Sequence, residues 1–191
     1  MKKHPKNQSS PLITRLVAQA TEYAEKHLRR QGHMPPRLHG VTSDNQFMLT
    51  PGNTADEDDK NHFSLLARLL CLAHPVLGVV FVAEAWAAEA SPDGAPDTPP
   101  SEAFNRREYV MISVEINDGT LLQKLLPIIR SDNGKFFGLG EAEMTRPDSV
   151  RGRFARFLPP EEPSAAERQN ARSLLEVLQQ LDRRHSKRAR R

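Results

Sequence analysis

The sequence predicts an α+β fold with a mostly antiparallel sheet of about five to six strands, helices packed on one face, and the order α-β-β-α-β-β-β-β-α. Three apolar segments support this prediction. Residues 78–87 form a long apolar run, residues 108–116 alternate between apolar and polar positions, and residues 121–130 return after an Asp118-Gly119 turn. Alternating strands joined by Asp-Gly are typical of an antiparallel hairpin.

Two helices are predicted before the long strands. Apolar residues recur at helical spacing over about residues 11–31, where Pro11 suits a first helical position and Gly32 suits an end. A capping-box pattern over residues 54–57 starts a second helix, which runs to about residue 73.

Shorter strands complete the predicted sheet. Residues 34–42 and 46–50 flank turn-forming residues and predict a hairpin, and residues 135–139 predict a last strand. Pro127 lacks a backbone N–H donor, so we expect its strand to be bulged or at a sheet edge there.

The composition separates a folded body from polar ends. Residues 1–9 are expected to be a basic, flexible N-terminus, and residues 10–144 a single α+β domain. Within it, residues 88–106 are rich in Pro and Asp and are expected to form a mobile loop. Residues 145–163 are expected to be a linker, followed by a C-terminal helix with a basic tail over residues 164–191.

Several protein classes are excluded by composition. The basic, polar first residues lack the apolar run of a signal peptide, and no stretch approaches the ~18 apolar residues of a membrane span. The single cysteine, Cys71, rules out an internal disulfide and suits a reducing compartment. We therefore expect a cytoplasmic protein without membrane contact.

Charge is distributed unevenly along the chain. The net charge is +3, but residues 1–9 carry +3 and residues 182–191 carry +5, which leaves −5 on residues 10–181. This distribution argues against a basic groove on the folded body. It allows contact between the basic ends and an acidic partner.

The basic C-terminus is the clearest partner signal. Six cations within ten residues would release counterions from a phosphate backbone. The segment 151–157 also interleaves Arg and Phe, as some single-strand-binding proteins do. The candidate nucleic-acid-binding residues are Arg183, Arg184, Lys187, Arg188, Arg190 and Arg191. A solubilising tail or contact with an acidic protein is the alternative.

Carboxylates on the predicted strands suggest a different function. Glu84 and Glu115 would hold a divalent cation or form an acid/base pair if they share a sheet face. Glu108 is a third carboxylate on or beside these strands. Cross-strand pairing of such carboxylates with Lys124 or Arg130 is the simpler interpretation. The seven histidines form no zinc motif, and no phosphate-binding loop is present, so no metal or cofactor is predicted.

Three hypotheses remain open from sequence. The first is a non-enzymatic binding or accessory protein that contacts nucleic acid or an acidic partner through its basic C-terminal arm. The second is a metal-assisted or acid/base hydrolase using the strand carboxylates. The third is a subunit of a larger assembly, which binds a protein partner through the apolar stripe of its C-terminal helix.

Overall fold

The computed structural model describes residues 11–51, 56–87, 102, 106–145 and 153–188, with no side-chain detail at 145 or from 181 onward. Within these residues the elements are α1 (Pro11–Gln31), β1 (Arg37–Thr42), β2 (Gln46–Leu49), α2 (Glu57–Ala73), β3 (Val76–Ala87), β4 (Arg107–Ile116), β5 (Leu121–Arg130), β6 (Phe136–Leu139), β7 (Glu143–Thr145) and α3 (Ala165–Arg188). The predicted α+β class and element order are confirmed, and β7 is an additional short strand.

The predicted ends and the central loop fall largely outside this description. Residues 1–9 lie wholly outside it, as does the 88–106 segment apart from residues 102 and 106. Part of the expected linker, residues 146–152, is likewise outside the described residues.

All seven strands join one antiparallel sheet. The strand order is β2-β1-β3-β4-β5-β6, and β7 pairs with β5 beside β6. The β3–β4 ladder is the longest, running from the pair Gly78↔Ile116 to the pair Ala87↔Arg107. In this strand order β3 and β4 lie at the centre of the sheet. A central position is what the continuous apolar run of β3 requires.

The helices are divided between the two faces of the sheet rather than gathered on one. Val80 and Val82 pack with α1 in one core cluster, whereas Val79 and Phe81 pack with α2 in another. All four residues are at most 2% exposed. Because successive strand residues point to opposite faces, a strand that is apolar at every position needs a cover on both sides. We call these two sides the α1 face and the α2 face.

Residues 153–158, which we call the strap, pack on the α2 face. Phe157 is buried, and Phe154 stacks on Phe81 with ring centroids 5.1 Å apart. The strap lies inside the segment that was expected to be a linker, yet it forms part of the core around Phe63 and Phe81.

Helix α3 forms an outer layer on α2. Ala171 and Leu175 are buried against Leu69 and Ala73. The side chain of Arg172 adds a hydrogen bond, since its Nε donates to the Ala73 carbonyl oxygen at 3.2 Å. The first half of α3 is therefore fixed to the domain.

Pro127 lies where β5 changes its outer neighbour. Residues 123–125 of β5 pair with β7, and residues 128–130 pair with β6. Pro127 donates no hydrogen bond and instead accepts one from Gly140 N–H at 2.8 Å. The backbone N–H that Pro127 lacks would therefore face the gap between β7 and β6. A proline costs little at this position because no strand there needs its hydrogen bond.

Candidate functional site

Glu84 and Glu115, the two carboxylates considered for hydrolysis, lie on opposite faces of the sheet. Glu84 pairs across strands with Val110, whose side chain belongs to the core of the α1 face. Glu115 pairs with Val79, which belongs to the core of the α2 face. The structure does not bring the two carboxylates together, so the shared site that the hydrolase hypothesis needs is not formed by them.

The described part of the chain offers no metal centre either. Among those residues, no group of three or more His, Cys, Asp or Glu side chains is placed to hold a metal ion. His39 on β1 lies with its Nε2 3.0 Å from the Gln46 Oε1. His33, which precedes β1, lies near Glu84, so these two histidines have different surroundings.

Glu84 fastens the connection between α1 and β1 to the sheet. Its Oε1 accepts a hydrogen bond from the backbone N–H of Met34. Burial raises the pKa of Glu84, the Met34 hydrogen bond opposes this rise, and the nearby Glu108 carboxylate adds to it. A half-buried carboxyl with a raised pKa is a common feature of active sites, but a structural role also produces one.

A cross-strand ion pair lies beside Glu84. Arg130 on β5 donates from Nε to Glu108 Oε2 at 2.6 Å and from Nη2 to Glu108 Oε1 at 3.3 Å. Its Nη1 also donates to the Gly32 carbonyl oxygen at 3.1 Å. This is the carboxylate–arginine pairing that the sequence suggested as the simpler interpretation. Together with Glu84 it ties the end of α1 to three strands, which supports a structural role.

Glu115 is buried on the α2 face and binds the strap. It is 6% exposed, and its two oxygens accept hydrogen bonds from Phe157 N–H at 3.1 Å and Leu158 N–H at 3.0 Å. A buried carboxylate is costly unless its oxygens are hydrogen-bonded, and here two backbone donors satisfy it. The arrangement positions the strap and engages both oxygens of Glu115.

Two polar residues of α2 hold the other end of the strap. Ser64 Oγ donates to the Arg153 carbonyl oxygen at 2.8 Å. Arg68 Nη2 donates to the Arg153 and Ala155 carbonyl oxygens at 2.9 and 3.0 Å. Sequence reasoning missed both residues. Their spacing of four residues was the available signal, because it places a hydroxyl and a guanidinium next to each other on one side of α2.

The aromatic residues of segment 151–157 do not form a base-stacking surface. Phe157 is buried, and Phe154 packs on Phe63 and Phe81. Their rings are thus part of the core, and the interleaved pattern of Arg and Phe reflects a strap with one buried side. The suggestion that this segment binds single strands by stacking is therefore wrong for its two phenylalanines.

Cys71 is a structural thiol. It is 2% exposed within the α2-face core. Burial, with a smaller effect of the Glu115 charge, raises the pKa of its thiol to about 12. The thiolate required of a nucleophile or metal ligand is therefore disfavoured at neutral pH.

The apolar stripe predicted on α3 is only partly covered. Ala171 and Leu175 are buried against α2, whereas Leu174 of the stripe is 54% exposed. Val177, which is outside the predicted stripe, is also 53% exposed. The stripe thus docks on its own domain along one edge.

The basic residues follow this docked part of the helix. We call residues 182–191 the basic arm. Four of its candidates, at positions 183, 184, 187 and 188, lie on the last turns of α3, and Arg190 and Arg191 lie outside the described residues.

Comparison with known proteins gives no relative. No protein-family model, no curated protein and no solved structure matches this chain. In the portion of the chain that the structure describes, none of the helices has the length and apolar content needed to cross a bilayer.

Proposed function

We propose that the protein is a non-enzymatic binding protein that contacts the phosphate backbone of nucleic acid through its basic arm. The observation that carries this proposal is the separation of charge. The arm holds six Lys or Arg and one Asp, whereas residues 10–181 have a net charge of −5. A polyanion is therefore attracted to the arm and repelled by the body.

The position of the arm on α3 supports the proposal. Positions 183, 184, 187 and 188 lie on the last turns of α3, C-terminal to the docked residues Ala171 and Leu175. Four cations within about two turns of one helix are close enough along the chain to meet a single polyanion.

The attachment of α3 to the domain also supports the proposal. Because Ala171, Leu175 and Arg172 attach α3 to α2, the arm begins from a defined place on the domain. A partner held by the arm would thus be close to the domain surface. The exposed residues Leu174 and Val177 precede the arm on the same helix.

The proposal is tested with a matched pair of charge variants. One variant carries Gln at 183, 184, 187 and 188; the control carries Gln at the exposed cations Arg15, Lys26, Arg30 and Lys135. Both lose four positive charges. Fluorescence anisotropy with labelled single- and double-stranded oligonucleotides measures their affinity. We expect the arm variant to lose binding and the control to retain it within about threefold. Equal losses in both variants would contradict the proposal, because binding would then depend on net charge alone.

An acidic protein is the competing partner, and poly-glutamate serves as its probe. The phosphate proposal predicts tighter arm-dependent binding to oligonucleotides than to poly-glutamate at the same salt concentration, since duplex DNA packs one charge per ~1.7 Å. Equal or tighter binding to poly-glutamate would overturn the assignment to nucleic acid.

A further inference from the structure

A cavity of about 280 Å³ lies at the edge of the α1 face, apart from the arm and the strap. Its floor is apolar and comes from Ala20 on α1 and from Val80 and Val82 on β3. Small-molecule sites commonly have volumes of ~300–1,000 Å³, so this cavity suits a compact ligand.

The rim of this cavity is polar and is held in place. Arg37 lies over the Tyr23 ring, with its guanidinium carbon 3.7 Å from the ring centroid, and its Nε donates to Thr50 Oγ1 at 3.2 Å. The Tyr23 hydroxyl in turn donates to the Pro35 carbonyl oxygen at 2.9 Å. Stacking and hydrogen bonding together fix the guanidinium before any ligand arrives, which reduces the entropy lost on binding.

The electrostatics of the cavity favour an anion. None of the described residues that line it is acidic, and Arg37 has no carboxylate partner among the described residues. Burial lowers the pKa of His39, and the charges of Arg37 and Arg15 lower it further, although the Gln46 hydrogen bond opposes this. His39 is thus a neutral polar group at neutral pH, and Arg37 supplies the positive charge at the rim.

We propose that this cavity binds a compact organic anion, with its acidic group on Arg37 and its apolar, preferably aromatic, body against Ala20, Val80 and Val82. A bare inorganic anion would engage Arg37 alone and would leave the apolar side of the cavity, including the exposed Met48, without a partner. An uncharged apolar molecule would leave Arg37 without a counter-charge. The fixed guanidinium and the apolar floor together therefore select a ligand that has both an acidic group and an apolar body.

Met48 is placed to report on this ligand. It lines the cavity from β2 and is 66% exposed, so its flexible side chain is free to close over a bound molecule. Its methyl resonance provides a probe that is separate from both the arm and the strap.

The test uses benzoate and its uncharged analogue benzamide as probes of the full chain. Two-dimensional NMR titration follows the Met48 methyl group and the backbone amides of Arg37 and His39. We expect saturable shifts at these residues, with benzoate bound about tenfold or more tightly than benzamide. Equal affinity for both probes, or shifts confined to other surfaces, would overturn the proposal.

Three variants separate the effect of the Arg37 charge from the effect of packing in the cavity. Arg37→Gln should reduce the preference for benzoate to about threefold or less, because it removes the charge that distinguishes the probes. Arg30→Gln, an exposed arginine on α1 away from the cavity lining, should leave the preference unchanged. If Arg37→Gln fails to fold, Ala20→Leu fills the floor and should abolish binding of both probes. Unchanged benzoate binding in a folded Ala20→Leu variant would contradict the assignment.

Discussion

Glu115 at the centre of the sheet accepts a hydrogen bond from the backbone N–H of Phe157, 42 residues further along the chain, at 3.1 Å. The same carboxylate accepts a second hydrogen bond from the next residue, Leu158, at 3.0 Å. The strap is therefore fixed to the sheet, and residues 159–164 connect it to α3, which begins at Ala165.

Replacing Glu115 with Ala is expected to destabilise the protein by about 3 kcal/mol, because two backbone N–H donors next to the core are then left without their side-chain acceptor. Urea unfolding measures the change. Glu143→Ala removes an exposed carboxylate from β7 and should change the free energy of unfolding by about 0.5 kcal/mol or less. A destabilisation below about 1 kcal/mol for Glu115→Ala would show that the strap is held mainly by Phe157 and Phe154.

Gly40 is expected to resist substitution because the Phe47 ring occupies the space of its missing side chain. A Cβ atom at Gly40 would lie 2.1 Å from the Phe47 ring, its cross-strand partner. Gly40→Ala should cost about 1–3 kcal/mol, since the ring has to move. At Gly138 an added Cβ meets nothing within 4 Å, so Gly138→Ala is the control and should be close to neutral. Equal thermal unfolding of the two variants would contradict this packing.

Glu84 is expected to make stability depend on pH. Its folded-state pKa is raised from an ordinary value of 4.5, mainly by burial, so the folded state holds this proton more tightly than the unfolded state does. Ionised Glu84 therefore opposes folding above its folded pKa, and this cost disappears below about pH 4.5. Glu84→Gln keeps an oxygen for the Met34 N–H and removes the charge.

The measurement for Glu84 is the free energy of unfolding of wild type and Glu84→Gln from pH 4 to pH 8. The variant should be the more stable protein at neutral pH, and its advantage should shrink as the pH falls toward 4.5. Glu141→Gln, which changes an exposed carboxylate, should show no such trend. An advantage that grows toward low pH would have the wrong sign for a raised pKa.

The order of the elements was predictable because it depends on local patterns. The period-two alternation of β4, the Asp118-Gly119 turn and the helical spacing of α1 each act within a few residues. The division of helices between two faces depends on sheet pairing and was not predicted. The apolar run at 79–82 contained the relevant signal, since a strand that is buried on both faces requires cover on both.

Which residues contact one another in the candidate sites was harder to predict from the sequence. Whether Glu84 and Glu115 share a face depends on the strand register, which a one-residue slip reverses. The hydrogen bonds of Glu115 with the strap join residues more than 40 positions apart. The cavity beside Arg37 likewise requires α1, β1 and β3 to be packed before its lining residues meet. Composition, by contrast, was sufficient to locate the basic arm.

The salt dependence of nucleic-acid binding tests the central claim most directly. For duplex DNA, the slope of log K against log salt concentration changes by about 0.9 for each phosphate that the protein neutralises. We predict that the variant with Gln at 183, 184, 187 and 188 has a slope shallower than wild type by up to ~3.6, whereas the control variant at Arg15, Lys26, Arg30 and Lys135 keeps the wild-type slope. A wild-type slope in the arm variant, or no salt-dependent binding by the wild-type protein, would contradict a nucleic-acid-binding role for the arm.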